Sequence, residues 1–439
     1  MNSPADAADA VNPHLLDRMV AAGATRAVEV TEDIVASNGV KLLAKGARID
    51  PAMRERLLEH KLRKPLEQCV NVADAGITER LRPLAEELLD RHALLAALCA
   101  PARAQPVPES LSKLRLTPPL LSLLTLYGEC PGDRIAHCVG VAMLALALAR
   151  RLGPGDIERQ RQLATAGLLH DIGELYIDPA YLQRGARLEP EHWRHIVTHP
   201  LVGHRVLAGI DGAGPAVADA VLQHHERLDG FGYPRGIVEV SAEGQILGAA
   251  EWLMALIESG VAPVERASVA IKLLPGEFGD PLLAEISAAA STSNESLAII
   301  ATATPLEDEV GRVERIAGTM QRFAEARAWI DEQIAGAEGE TRRALETGLG
   351  RMLRIRAALA RTGLDTEQPG LLLRELAALN DPHLHLEVMT VIGELEWRLR
   401  ELERETLLRA ALLPGSGGEV LRSIAIRLRG AAPAGADAA

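Results

Sequence analysis

Residues 168–185 read LLHDIGELYIDPAYLQRG, and two further stretches belong with them: EHWRHIVTHPLVGHRVL at 191–207 and AVADAVLQHHERLDGFGYPRG at 216–236. Seven of the chain's thirteen histidines lie between His170 and His225, most of them after apolar runs with helical spacing. Three pieces stand out: the His170-Asp171 doublet, His199 before Pro200, and the His224-His225 pair followed by Glu226. Neutral imidazoles and carboxylates are the ligands that borderline divalent metals prefer. One histidine on an apolar face is ordinarily a satisfied core residue. Several, joined by an aspartate on successive helices among small residues, point to a metal centre.

Working outward, Asp133 and His137 stand four apart in DRIAHCVGVAMLALALA and share one face if that segment is helical. Glu251 sits in QILGAAEWLMAL, a run of small residues that lets helices approach closely. His195 and His199 are also spaced by four, but His192, His195 and His204 lack an accompanying pattern and read as supporting or surface residues.

At 439 residues the chain exceeds one typical domain. It carries 47 Lys plus Arg against 60 Asp plus Glu, a net charge of −13, which argues against a general DNA-binding role. A small phosphate-bearing ligand held by metal ions stays compatible with that acidity. Aromatic content is 3%, so an aliphatic helical core is expected. Cys69, Cys99, Cys130 and Cys138 show no CxxC spacing, consistent with a reducing setting and no disulfide framework. The N-terminal residues lack a secretory pattern, and the longest apolar run, Val139 to Ala149, is short for a bilayer span; a cytoplasmic location is expected.

The expected fold class is mainly α. Residues 1–72 form a β-hairpin/helix module, with strands over Ala27–Ala36 and Val40–Leu43, a turn at Ser37-Asn38-Gly39, and a helix opened by Asp50-Pro51. A helical linker follows at 73–110, with one helix over Ala73–Ala100 and a loop from Pro101 to Pro108. A helical metal-binding domain is expected at 111–291, a bundle of long Arg/Glu-rich helices at 306–413, and a flexible tail at 414–439. The bundle's charges read as a solubilising surface, although its helix near Leu395–Ala411 could also support a homodimer.

This arrangement resembles the HD-GYP family of metal-dependent phosphohydrolases, a branch of the HD superfamily. The resemblance covers roughly Leu126 to Ala290 and rests on HDIG at His170–Gly173, HP-x-x-G at His199–Gly203 and HHE-x-x-DG-x-GYP at His224–Pro234. It implies a helical fold holding two or three divalent transition ions, iron or manganese, that hydrolyses the messenger cyclic di-GMP. The implied ligands are Asp133, His137, His170, Asp171, His199, His224, His225 and Glu251, with Asp171 bridging two ions and the His170-Asp171 doublet at the catalytic centre. Tyr233 and Arg235 are candidates to touch the nucleotide, and the GYP segment or the C-terminal helices to dock signalling partners.

The chain leaves the family pattern at three positions. Glu251 stands for aspartate and Asp133 for glutamate, which keeps a carboxylate but changes its reach. Glu174 replaces the lysine of HDIGK that helps hold the substrate phosphate. A negative charge there is expected to repel a phosphodiester, giving a slow or weak-binding enzyme that Glu174→Lys would improve. The competing expectation is a metal-binding signalling module with little turnover, acting through protein contacts.

Overall fold

Local sequence signals set where the helices begin. The helix Pro13–Ala22 starts after Asn12, whose side-chain oxygen accepts from the backbone N–H groups of His14 and Leu15, and its Leu15, Leu16 and Met19 are buried. Asp50 caps Pro51–Leu58 in the same manner, accepting from Met53 N at 3.1 Å. The computed structural model describes residues 11–73, 76–100, 105–182, 190–260, 262–274, 276–293, 306–366, 368–413 and 415–429. By contacts the chain divides into two units. One comprises Met1–Glu226, Tyr233–Arg235 and Glu239–Glu258; the other comprises Arg227–Gly232, Gly236–Val238 and Ser259–Ala439.

In the first unit the expected hairpin is present: Ile34–Val35 pairs antiparallel with Lys41–Leu43, and Gly39 takes the left-handed φ of 87° that the turn requires. Val28–Val30 pairs instead with Val70–Val72, a strand of three residues whose VNV pattern is too short a signal. The single helix expected over Ala73–Ala100 is two, Ile77–Arg91 and Ala93–Cys99, separated by an extended His92. No sequence feature at His92 accounts for the break. Part of the loop expected from Pro101 is a helix, Val107–Ser112; residues 101–104 lie outside the described residues.

The centre of this unit is the helix Arg134–Leu152, buried along almost its whole length. Among the described residues it is the one helix long and apolar enough to cross a membrane, but 78% of its apolar window is buried inside the protein, as befits a core helix. Small residues bring its neighbours close. A Cβ on Gly167 would fall 2.5 Å from Ala142 Cα, so the helix Ile157–Leu169 lies directly against this backbone. A Cβ on Gly140 would fall 2.4 Å from Met254 Sδ, on the helix Ala242–Ser259. Leu168 and Leu169, which close Ile157–Leu169, are fully buried and carry the His170-Asp171 doublet into the core.

In the second unit the helices Leu306–Gly336, Gly339–Arg361, Pro369–Ala378 and Pro382–Leu412 match the expected bundle to within a residue or two. Residues from Ser259 onward, which the sequence assigns to the metal domain as far as 291, group here: Pro263–Ser268 packs on Pro382–Leu412, where Arg266 Nε meets the buried Glu394 at 3.1 Å. Arg398 bonds both Glu394 and Glu277. The tail expected at 414–439 is corrected in part. Residues 416–429 form the helix Ser416–Arg429, with Leu421 packed against Leu345 and Ala410. Val420, Leu421, Ile424 and Ala425 repeat at helical spacing, a signal hidden behind Gly417-Gly418. Residues 430–439 lie outside the described residues.

Candidate metal centre

The three sequence stretches converge through helix ends. His170 follows the end of Ile157–Leu169, His199 opens His199–Ala208, and His224 follows the end of Gly214–Gln223. Each of these imidazoles faces a carbonyl three residues earlier: His170 Nδ1 lies 2.8 Å from Gly167 O, His199 Nδ1 2.9 Å from Ile196 O, and His224 Nδ1 2.6 Å from Val221 O. A carbonyl can only accept, so each Nδ1 carries the hydrogen and each Nε2 of the neutral ring presents a lone pair. Those lone pairs meet. His199 Nε2 and His224 Nε2 are 3.2 Å apart.

Asp171 lies between two groups of ligands. Its Oδ1 is 3.2 Å from His199 Nε2 and 3.7 Å from His224 Nε2, while its Oδ2 is 3.3 Å from His170 Nε2. Asp171, His199, His224 and His225 form one ligand cluster, and His137, His170 and Asp171 form a second, with the aspartate common to both. Glu251 joins the second, its Oε2 lying 3.2 Å from His137 Nε2 and 3.3 Å from His170 Nε2.

The donor set fits divalent ions, and two observations carry that fit. His170 Nε2 is fully buried and makes no hydrogen bond. Two Nε2 atoms facing each other across 3.2 Å, with both Nδ1 hydrogens directed at carbonyls, need a proton or a metal cation between them. Without an ion, Asp171 and Glu251 raise the His170 pKa and Asp171 raises that of His199, both against burial, so these two rings favour a protonated form that a metal would displace. Burial opposes the charge on Asp171, but His170, His199 and His224 outweigh it and hold that carboxyl well below the usual carboxylate range. Glu251 is held low against burial by His137 and His170. Burial pushes the His224 pKa down to about 4 and His225 well below its ordinary value, so both are neutral rings ready to coordinate.

The other expected residues fall into place unevenly. Asp133 lines the same cavity, of about 510 Å³, but is exposed and belongs to neither cluster. Tyr233 stacks on His225, a member of the first cluster, with ring centroids 4.4 Å apart. Arg235 is exposed, and its backbone N–H donates to the buried Glu226 at 2.7 Å; the glutamate of HHE thus braces the GYP segment rather than joining the ligands. His192 stacks on Tyr181 and His204 pairs with Asp219, both away from the ligand clusters.

Glu174 is not an isolated negative charge. Its Oε2 accepts from Arg134 Nη1 at 2.8 Å and from the Tyr127 hydroxyl at 3.0 Å, and Tyr127 also lies 3.3 Å from Asp171 Oδ2. Burial and the nearby Asp171 push the Glu174 carboxyl up, against the pull of Arg134. Sequence reasoning missed Tyr127, Arg134 and Glu258, whose Oε1 lies 2.8 Å from His137 Nδ1. Glu258 was accessible: it follows Glu251 by seven, two helical turns along one face. Arg134 stands beside Asp133, but nothing in the sequence ties it to position 174.

Comparison with known proteins agrees with this geometry. A family profile for the HD domain matches residues 112–281. The "Cyclic di-GMP phosphodiesterase PA4108" of Pseudomonas aeruginosa is 37% identical over 130 residues, 30% of this chain and 31% of its own length. The "3'3'-cGAMP-specific phosphodiesterase 3" of Vibrio cholerae is 28% identical over 209 residues, 45% of each chain. A "Cyclic di-GMP phosphodiesterase" of Thermotoga maritima is 29% identical over 173 residues, 38% of this chain and 46% of its own. The chain thus spans less than half the length of these relatives. The chain carries an HD domain at residues 112–281, in which the HDIG, HP-x-x-G and HHE segments, together with His137, supply both candidate clusters and Tyr233 stacks on His225.

Proposed function

We propose that the chain is a metal-dependent phosphodiesterase acting on cyclic di-GMP, in the cytoplasm where such a messenger circulates. The observation that supports this most directly is Asp171, whose two oxygens face separate groups of candidate ligands, so that it could serve both. His199, His224 and His225 would complete one ion's set, and His137, His170 and Glu251 the other's, with iron or manganese suited to so many nitrogens. When bound, such ions supply Lewis acidity to a phosphodiester and ionise water near neutral pH. The chain's own groups orient the site. The Nδ1 anchors fix each ring, and Tyr127 and Arg134 both donate to Glu174, holding it beside Asp171 on the cavity wall.

The test is to load the protein anaerobically with iron or manganese and incubate it with cyclic di-GMP and with 3'3'-cGAMP, identifying products by mass. Hydrolysis of cyclic di-GMP is the expected result. A protein that holds two ions per chain and cleaves neither dinucleotide would overturn the proposal and leave the signalling-module reading standing.

Metal affinity should depend on pH in a definite direction. Burial opposes protonation of His137, but Glu251 and Glu258 outweigh it and raise its pKa from 6.5 to about 10. The metal-free ring therefore holds a proton at neutral pH, which an incoming ion must displace. Between pH 6.5 and about 10, affinity is expected to rise about tenfold per unit for each proton released, measured by competition with a coloured chelator. A flat profile would show that His137 is no ligand.

Glu174→Lys is expected to be harmful, contrary to the repulsion expected from charge counting alone. It would place an ammonium beside Arg134 and lose both bonds to the carboxylate. The cost is on the order of 2 kcal/mol of stability, with a higher KM, read by thermal unfolding and steady-state kinetics. A lower KM at unchanged stability would restore the repulsion argument.

A further inference from the structure

We infer that Arg18, on the N-terminal helix outside the matched HD domain, is a substrate-binding residue that holds the phosphodiester group of a cyclic dinucleotide that is not being cleaved. The inference rests on the phosphodiesterase reading and extends it to a segment that no motif covers. Pro13–Ala22 is clipped onto the turn that follows the ligand doublet. Asn12 Nδ2 donates to Tyr176 O at 3.0 Å, and Arg18 Nε donates to Leu175 O at 3.3 Å. Arg18 then reaches the cavity that also holds Asp171, Glu174, Glu251 and Arg134.

Its partners are what set Arg18 apart. The guanidinium donates to Leu175 O and, through Nη1, to Cys130 Sγ at 2.8 Å, and both acceptors are neutral. Among the described residues no carboxylate pairs with it; its neighbour Asp17 is taken by Arg54. Arg134, in contrast, is paired with Glu174. Arg18 is thus a partly buried cation, fixed at two of its five N–H donors and, among the described residues, in direct ion-pair contact with no carboxylate, although acids line the same cavity. A preset guanidinium with free donors on a cavity wall suits a phosphodiester oxygen pair. A cavity of about 510 Å³ has room for a ligand with two such groups. A cyclic dinucleotide has two: one must lie at the ligand clusters to react, and the other needs its own cation.

Two substrates separate this role from a purely structural clip. Cyclic di-GMP carries two phosphodiesters, and bis(p-nitrophenyl) phosphate carries one. In the full-length, metal-loaded protein, Arg18→Met is expected to raise KM for cyclic di-GMP tenfold or more while leaving kcat/KM for bis(p-nitrophenyl) phosphate within twofold. Arg18→Lys, which restores the charge, should recover part of the loss. Calorimetric titration of cyclic di-GMP into metal-free protein should show the same ranking without turnover. Equal losses on both substrates, with reduced metal content or a lower unfolding temperature, would show that Arg18 only clips the helix, and no loss on either would likewise overturn the inference. If the Met variant does not fold, the Lys variant and Cys130→Ala, which frees the guanidinium but keeps its charge, decide by the same two-substrate comparison. Failure of the wild-type protein to bind or cleave cyclic di-GMP would instead count against the phosphodiesterase reading itself.

Discussion

Asp171→Ala should empty both halves of the centre at once, because that aspartate alone belongs to both ligand clusters. Purified variant protein is expected to hold fewer than half the ions of the wild type, and phosphodiester hydrolysis to fall by about 10³-fold or more. The loss should exceed that from His225→Ala, which touches one cluster only. Asp171→Asn is the stricter comparison. It keeps the size and one oxygen but removes the charge that offsets His170 and His199, so it should behave like the alanine variant in metal content. Elemental analysis with circular dichroism separates loss of metal from loss of fold. Full metal content in either variant would mean that the two groups of histidines are not joined through this carboxylate.

Gly173→Ala is expected to be nearly as damaging, although glycine has no side chain to coordinate anything. A Cβ at position 173 would fall 2.0 Å from His199 O and 2.9 Å from Gly203 N, both backbone atoms that cannot swing aside. The turn Ile172–Tyr176 and the helix His199–Ala208 must therefore separate, carrying His199 away from Asp171. Overpacking of this kind costs about 3 kcal/mol, and the ion of the His199 cluster should be lost with it. Gly155→Ala is the control, since its Cβ would meet nothing within 4 Å. Unchanged metal content in Gly173→Ala would show that the helices can part without moving the ligands.

The residues that converge are legible in the sequence because metal chemistry constrains residue type, and of the six side chains in the two candidate clusters plus Glu251, five sit inside short motifs: His170, Asp171, His199, His224 and His225. His137 and Glu251 needed helical phase, which the apolar spacing around them supplied. What escaped was anything decided by a partner far along the chain. Repulsion by Glu174 follows from its charge alone, whereas Arg134, 40 residues away in sequence, lies 2.8 Å from that carboxylate. The strand at Val70–Val72 was missed for a similar reason, since three residues gain strand character only from their pairing with Val28–Val30. The helical character of residues 306–413 is legible because the apolar repeats there are long, whereas Ser416–Arg429 is masked by two glycines near its start.

The three Nδ1 anchors also bear on how quickly an ion can come and go. A histidine free to rotate gives up rotamer entropy when it coordinates, and here His170, His199 and His224 have already lost that freedom to Gly167, Ile196 and Val221. Their side chains are 0%, 4% and 0% exposed, so these rings are held in place whether or not an ion is present. An ion held there would enter and leave through the cavity that His137, Asp171 and Glu251 line, not by movement of the three anchored rings. Stripping with a chelator is therefore expected to leave a preformed site, and reloading to need no rearrangement of these histidines.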